Sequence, residues 1–303
     1  MATESNPHAD PEPAARASDS LPNLLRVVHA YLVLPHAVPI LVVLAATGAF
    51  AVLAADGLPP SALLADLLLA MLGAQVAIGA VNELVDAETD ARVKPAKPIP
   101  AGLVSRRGAR LLTVVALAVM VGFGAKLGWA SLGLCTLGTA AGIAYSVWFK
   151  RTMLAWLPYL VALPLLPIWV FTAISGFDAR LLMLYPLGAF AVVGVHLSQS
   201  LPDVEADRVS GVRNLTSMLG EERAFTLTLG AMLLSLVLAA VASTLWTDSA
   251  QLVVATAAMV VALIAINAGL YLWRPRAAVM ACFPCVAAGT VILGLGWVLA
   301  VTR

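Results

Sequence analysis

A polar segment at residues 81–102, VNELVDAETDARVKPAKPIPAG, interrupts a long apolar region of the chain. Residues four positions apart on a helix share one face, so Asn82, Asp86 and Asp90 would form a single stripe of side-chain oxygens. Carboxylates stacked one turn apart repel each other unless a cation lies between them. Because Mg²⁺ prefers hard oxygen ligands, the stripe is a candidate magnesium site.

A second acidic segment, DVEAD, begins at Asp203 and is followed by an R-x-x-G-x-R pattern. Asp203 and Asp207 again lie four positions apart, and His196 and Gln199 extend their line back toward the membrane. The two acidic segments end the second and the sixth apolar spans of the chain, so three spans lie between them. Acidic segments at matching ends of distant spans predict two halves of one site.

Basic residues lie just beyond both acidic segments: Arg92, Lys94, Lys97, Arg208 and Arg213. Carboxylates, a divalent metal and Lys or Arg side chains can together hold a diphosphate, since the metal bridges acid to phosphate and the bases neutralise the remaining charge. A diphosphate bound beside an apolar bundle indicates a substrate with a hydrocarbon tail, an isoprenyl diphosphate. The chemistry predicted for this site is metal-assisted loss of diphosphate, which leaves an allylic carbocation.

Composition places these segments in an integral membrane protein. The chain has 303 residues, of which 61% are hydrophobic and only 12% charged. A soluble protein carries roughly 25% charged residues. The apolar runs are about 20 residues long, which fits membrane-spanning helices rather than barrel strands of about 10 residues. A net charge of +1 predicts no nucleic-acid partner.

The apolar runs predict an all-α bundle of nine transmembrane helices. The first run contains Pro35 and Pro39 and is predicted to be one tilted or kinked helix. Two long connections, 86–108 and 203–222, hold eight of the 17 Asp and Glu residues, and long connections in compact domains are often functional. The predicted spans are 27–55, 61–85, 109–126, 128–148, 153–175, 180–202, 223–246, 251–272 and 277–301.

The distribution of Lys and Arg predicts the orientation. With a cytoplasmic N-terminus, 15 of the 18 basic residues flank the spans on the cytoplasmic side. We therefore expect a multi-pass protein of the cell membrane whose site faces the cytoplasm. Residues 1–22 lack a basic stretch followed by an apolar core, so we expect a disordered tail rather than a signal peptide. Residues 23–303 would form the membrane domain.

The two acidic segments, taken with their neighbours, resemble a known family. NELVDAETD with KPAKPIPAG, and DVEADRVSG with LTSMLG, resemble the two signatures of the UbiA superfamily of intramembrane prenyltransferases. YSVWFKR, residues 145–151, resembles the Tyr and Lys-Arg element that the family has after its fourth helix. The resemblance covers roughly residues 26–301.

The resemblance implies a helical bundle around a central cavity that opens toward the cytoplasm beneath two loops. Both acidic motifs would bind Mg²⁺ around the prenyl diphosphate, and Tyr145 would lie in the pocket. The implied catalytic residues are Asp86, Asp90, Asp203, Asp207 and Tyr145. The implied metal ligands are Asn82, Asp86, Asp90, Asp203 and Asp207. The implied diphosphate contacts are Lys94, Lys97, Lys150, Arg151 and Arg208.

Glu83 stands where the family usually has Asp. Glutamate also offers hard oxygen atoms but is one methylene longer, so Glu83 is a further metal candidate with an altered reach. His196 is predicted to line the pocket near the carbocation or the acceptor, with a hydrogen-bonded interior histidine as the alternative. The aromatic residues Trp156 and Tyr159 could stabilise a carbocation or anchor the helix at the membrane surface.

Three functions are compatible with these residues. The first is a prenyltransferase that alkylates an aromatic or other lipophilic acceptor and releases diphosphate. The second is a terpene cyclase of the same superfamily, in which the substrate's own double bonds attack the cation and no acceptor is needed. The third is a non-catalytic transporter, because charges inside a membrane also mark ion paths.

Overall fold

The structure, a computed structural model, describes residues 23–209 and 211–302, so the predicted N-terminal tail lies outside it. All regular elements of the described part are helical. The α-helices are α1 (Asn23–Val33), α2 (Ala37–Ala54), α3 (Ser61–Val93), α4 (Arg106–Lys126), α5 (Trp129–Ala144), α6 (Leu157–Ile174), α7 (Leu184–Ser200), α8 (Val204–Val209), α9 (Leu215–Leu219), α10 (Glu221–Trp246), α11 (Ala250–Trp273) and α12 (Pro275–Thr302).

Shorter helical turns connect some of these elements. A π-helix at Tyr145–Phe149 follows α5, and 3₁₀ turns at Ala179–Met183 and Leu201–Asp203 flank α7. Within the described residues, nine helical segments are long and apolar enough to cross a membrane. The prediction of nine spans is confirmed.

The first predicted span is divided into two helices. α1 ends at Val33, and α2 begins at Ala37 after His36, whose backbone adopts left-handed angles of φ 62° and ψ 82°. A residue that precedes a proline disfavours helical backbone angles. Pro35 therefore disfavours a helical conformation at Leu34, and α1 ends at Val33. Pro39 falls in the first turn of α2, where the missing N–H costs little. The prediction of one kinked helix over 27–55 was wrong.

α3 is much longer than the predicted span that ended at residue 85. Its 33 residues give a helix of about 50 Å, against about 30 Å for the hydrocarbon core of a bilayer. The helix therefore continues past its apolar part for more than two turns. Asp86, Glu88 and Asp90 lie on this extension and are helical rather than part of a loop.

The helices close into a bundle. α3 packs on α2, α4 and α5, α6 packs on α5 and α7, and α12 packs on α7, α11 and α2. Close approach between α3 and α4 depends on Gly73, where an added Cβ would lie 2.6 Å from the carbonyl oxygen of Ala116. Small residues at such crossings let membrane helices pack tightly. This packing brings the ends of α3 and α7, and the π-helix, to one end of the bundle.

Candidate active site

The first acidic motif is a buried stripe on the last turns of α3. Asp86 is 7% exposed and Asp90 is 6% exposed. The amide of Asn82 donates a hydrogen bond of 3.3 Å to the Ser146 hydroxyl of the π-helix. The predicted i, i+4 stripe is therefore present, and it faces the interior of the bundle rather than lipid.

The π-helix and the turn after it bring two cations to Asp86. The ammonium group of Lys150 donates a hydrogen bond to Oδ2 of Asp86, and Nη2 of Arg151 lies 3.7 Å from Oδ1. Arg151 also donates to the Thr89 hydroxyl at 3.1 Å. Single π-turns frequently occur at functional sites because they shift the residues that follow them. The Lys-Arg pair of the element at 145–151 is thus in contact with the first motif, while its predicted contact with diphosphate stays a prediction.

Lys97 lies between two other carboxylates of α3. Its Nζ is 2.8 Å from Oδ2 of Asp90 and 2.6 Å from Oε1 of Glu83. Partial burial lowers the pKa of Lys97, but the hydrogen bonds and charges of Asp90 and Glu83 outweigh it, so the pKa is raised above its ordinary value. The lysine is therefore a fixed positive charge at neutral pH.

The second motif spans the junction between a 3₁₀ turn and α8. Asp203 ends the turn, and Asp207 lies one helical turn later in α8. Nδ2 of Asn214 donates to Oδ2 of Asp207 at 2.8 Å. The same asparagine caps α9 in a reciprocal capping box with Ser217. Asp207 is thereby oriented by a residue whose own position is fixed by a helix cap.

The two motifs meet in space. Nζ of Lys94, just beyond the first motif, lies 2.7 Å from Oδ1 of Asp203 in the second. Asp207 in turn lies within electrostatic range of Lys94, Lys150 and Asp203. Lys150 pairs with Asp86, so it stands between the two acidic segments. The prediction that distant spans supply two halves of one site agrees with this arrangement.

Two of the predicted diphosphate contacts lie away from these carboxylates. Arg92 is exposed, two positions after Asp90, and residues two apart on a helix do not face each other. Arg208 is also exposed and pairs with Glu205 at 4.0 Å. Diphosphate contact by these two arginines stays a prediction.

The donor set fits a hard cation in its chemistry. Within residues 23–209 and 211–302, no three His, Cys, Asp or Glu side chains converge on one point as a ready metal site. The inner carboxylates are instead compensated by lysine ammonium groups and by the amide of Asn214. The carboxylate and amide oxygens are nevertheless the type that Mg²⁺ prefers, beside cations that can turn to phosphate oxygens.

The rings of half-buried Tyr145 and Tyr159 and of buried His196 lie against one another. Tyr145 and Tyr159 meet edge to face, with ring centres 5.0 Å apart, and the His196 ring lies 5.5 Å from Tyr159 and 6.2 Å from Tyr145. The Tyr159 hydroxyl donates to Oε1 of Gln199. His196 is fully buried, and neither ring nitrogen has a hydrogen-bond partner among the described residues. The alternative of a hydrogen-bonded interior histidine is therefore not supported.

An apolar cavity of about 100 Å³ lies farther along the same helices. On α6 it is lined by Leu163 and Pro167, which follow Tyr159 by one and two turns. On α7 it is lined by Gly188 and Val192, which precede His196 by two turns and one turn. α2, α10 and α12 complete its walls. The resemblance implied a central cavity that opens toward the cytoplasm beneath two loops, and that opening stays a prediction.

Sequence reasoning missed Asn214 as a site residue. Part of the signal was available, since Asn is a preferred residue immediately before the start of a helix. What the sequence lacked was any sign that the cap would also reach Asp207. Tyr159 was predicted only as one of several aromatic residues, and its contact with Gln199 depends on the packing of α6 against α7.

Comparison with known proteins gives several relatives. The chain is 30% identical over 154 residues to digeranylgeranylglyceryl phosphate synthase of Natronomonas pharaonis, and this alignment covers 50% of this chain and 55% of that protein. It is 33% identical over 202 residues to the bacteriochlorophyll synthase 33 kDa chain of Cereibacter sphaeroides, and this alignment covers 62% of this chain and 65% of that protein. The alignments thus span between half and two thirds of the length of these relatives.

Solved structures show the same fold. A UbiA homologue from Archaeoglobus fulgidus bound to GPP and Mg²⁺ aligns with a TM-score of 0.66 and 18% identity over 89% of this chain and 99% of that one. The apo structure of a UbiA homologue from Aeropyrum pernix aligns with a TM-score of 0.66 and 20% identity, over 84% and 96%. Residues 41–283 match the UbiA prenyltransferase family, and the chain belongs to that family.

Proposed function

We propose that this protein is a Mg²⁺-dependent intramembrane prenyltransferase that ionises an isoprenyl diphosphate and transfers the prenyl group to an aromatic or other lipophilic acceptor. The observation that carries the proposal is the meeting of the two acidic motifs through Lys94 and Lys150. Carboxylates from both motifs and cations from two connecting segments lie close together at one end of the bundle. The relatives named as prenyl-transferring synthases support the same reaction class.

Each group in the site has a task in this reaction. Mg²⁺ held by Asn82, Asp86, Asp90, Asp203 and Asp207 would neutralise the leaving diphosphate as the carbon–oxygen bond breaks. Lys94, Lys97 and Lys150 would exchange part of their contact with carboxylates for contact with phosphate oxygens, and Arg151 can add a second donor beside Lys150. The raised pKa of Lys97 keeps its positive charge at neutral pH, so this lysine would bind the diphosphate without proton transfer.

The rings of Tyr145 and Tyr159 would face the cation that ionisation produces. The ring faces of Tyr145 and Tyr159 are negative, and an aromatic face attracts a cation most strongly where water is excluded. Both tyrosines pack around His196, which is fully buried. The apolar cavity beyond them, between α6 and α7, would take the hydrocarbon tail. His196 offers its unpartnered nitrogens to a polar group of the acceptor or to the proton lost after alkylation.

The orientation of the site is part of the proposal. The basic residues of the site flank the spans at the same end as most other Lys and Arg, which favours a cytoplasmic site in a multi-pass membrane protein. Cysteine labelling from either side of sealed vesicles, at an exposed position such as Arg92, would test it. Labelling from the outside of right-side-out vesicles would contradict a cytoplasmic site.

Product analysis tests the reaction itself. The purified protein would be incubated with Mg²⁺ and geranyl, farnesyl or geranylgeranyl diphosphate, with and without aromatic acceptors, and the products identified by mass spectrometry. A prenylated acceptor with released diphosphate supports the proposal. A cyclic hydrocarbon formed without an acceptor would establish a cyclase instead, to which the apolar cavity is also suited. Diphosphate release that persists in both Asp86→Ala and Asp203→Ala would exclude both enzymes.

A further inference from the structure

Glu83 occupies an unusual position next to the metal stripe. It is 2% exposed, and Oε1 lies 2.6 Å from Nζ of Lys97 and 3.0 Å from Nε2 of His36. Adjacent residues on a helix point about 100° apart, so Glu83 is displaced from the stripe that begins at Asn82. Its carboxylate is instead shared by a cation of the following loop and by the residue that separates α1 from α2.

The break between α1 and α2 is pressed against the same face of α3. Gly79 lies one turn before Glu83, and a Cβ there would be 2.5 Å from the carbonyl oxygen of Pro35. Only glycine lets the break approach this closely. His36, which follows Pro35, holds left-handed backbone angles that are uncommon for residues other than glycine.

The loop that carries Lys97 is held at the same point. Leu34 at the end of α1 forms a small buried cluster with Ala80 of α3, Val104 of the loop and Ala109 of α4. α1 therefore lies over the end of the loop, while Glu83 holds its middle through Lys97. Side chains from α3, the break and the loop converge on one buried carboxylate.

We propose that Glu83 is a positioning residue that holds Lys97 toward Asp90 and the diphosphate, and that it does so without binding metal. The proposal rests on the proposed function, because Lys97 is assigned there to the substrate. The length of the side chain matters. Aspartate is one methylene shorter, so we expect it to keep at most one of the two contacts, with Nζ of Lys97 or with Nε2 of His36.

Direct binding of Glu83 to Mg²⁺ is the competing role, since Oε2 has no hydrogen-bond partner among the described residues. Glu83→Gln and His36→Asn separate the two roles. Asparagine tolerates left-handed backbone angles, so His36→Asn removes the imidazole and keeps the break. Glu88→Gln is the matched control, because Glu88 is an exposed glutamate of the same helix that pairs with Arg106 at 3.3 Å.

The first measurement does not depend on activity. Lys97 would be acylated in the full-length protein without substrate, and its modification rate followed by mass spectrometry. We expect the rate to rise several-fold in Glu83→Gln, to rise less in His36→Asn and to stay unchanged in Glu88→Gln. An unchanged rate in Glu83→Gln would overturn the proposal. This result stands even if the wild-type protein fails to turn over any prenyl diphosphate, which would contradict the proposed function alone.

The second measurement is kinetic. Loss of a charged hydrogen bond that places Lys97 should raise KM for geranyl diphosphate about tenfold in Glu83→Gln. The Mg²⁺ concentration for half-maximal activity should stay within about twofold of wild type, whereas Asp86→Asn raises it. A rise in Glu83→Gln as large as in Asp86→Asn would identify Glu83 as a metal ligand and overturn the proposal. Glu83→Asp keeps the negative charge, so its KM for geranyl diphosphate should lie between the values of wild type and Glu83→Gln.

Discussion

The two acidic motifs resemble each other in sequence but differ in their surroundings. The first lies on one continuous helix, α3, and its aspartates are buried against cations from the loop and the π-helix. The second lies where a 3₁₀ turn passes into α8, and its Asp203 side chain is 46% exposed, paired with a Lys94 side chain that is 42% exposed. The first motif is therefore part of the buried interior, whereas the second is partly exposed to solvent.

Because the two motifs differ in burial, they should contribute differently to the stability of the protein. A buried ion pair is costly to break because the remaining charge is left without a partner, whereas an exposed pair contributes little to stability. The first motif should therefore affect both folding and catalysis. The second should affect catalysis alone, since water can solvate Asp203 when its partner is lost.

The largest expected effect separates the motifs by activity. Asp86→Asn leaves Lys150 and Arg151 facing a neutral amide, so we expect kcat to fall by about 10² to 10³. Asp203→Asn should cost about tenfold less because Asp207 remains beside it. Release of diphosphate from geranyl diphosphate measures both. Asp66→Asn is the control, since Asp66 pairs with Lys126 at the other end of α3. Equal losses in the two variants would show that the halves contribute equally.

The second effect separates the motifs by stability. Lys150→Met removes the main partner of the buried Asp86, and we expect a loss of about 3 kcal/mol in the free energy of unfolding. Lys94→Met removes the partner of the exposed Asp203 and should change it by at most about 1 kcal/mol. Thermal unfolding in the same detergent compares the two. If Lys94→Met proves as destabilising as Lys150→Met, the second half is also part of the core.

Much of the first motif was predictable from sequence, because helical spacing alone places Asn82, Asp86 and Asp90 on one face. Nine spans followed from hydropathy, and residues 23–209 and 211–302 contain nine helical segments that could cross a membrane. The division of the first span was not foreseen, since a proline within an apolar run is compatible with either a kink or a break. The partners of each carboxylate were also beyond sequence reasoning, because they depend on how two loops and the π-helix fold back.

Arginines illustrate the same limit. Arg92 and Arg208 lie close in sequence to the carboxylates, yet both side chains are exposed in the structure. Proximity along the chain does not determine which face of a helix a residue occupies. Lys150 and Arg151, far from the first motif in sequence, contact it directly. Only the resemblance to a family identified them beforehand.

A smaller effect tests the support of the second motif. Asn214→Ser keeps a side chain that can cap α9 but removes the amide that donates to Asp207. We expect about a tenfold loss of kcat/KM with little change in melting temperature. Asn214→Ala should lose the same activity and, in addition, about 1 kcal/mol of stability with the cap. A fully active Asn214→Ser protein would show that Asp207 needs no such partner.

The smallest effect concerns the charge of Lys97 in the buried half. Its pKa is raised in the folded protein above the ordinary 10.5, so the protonated lysine stabilises the fold below pH 10.5. That contribution is lost as the pH rises through the higher folded value. The difference in melting temperature between wild type and Lys97→Met should therefore be constant from pH 7 to pH 9 and shrink only above pH 10.5. A difference that already declined near pH 8 would mean that Glu83 and Asp90 do not hold the lysine in its charged form. The first half of the site would then lack the fixed charge that distinguishes it from the second.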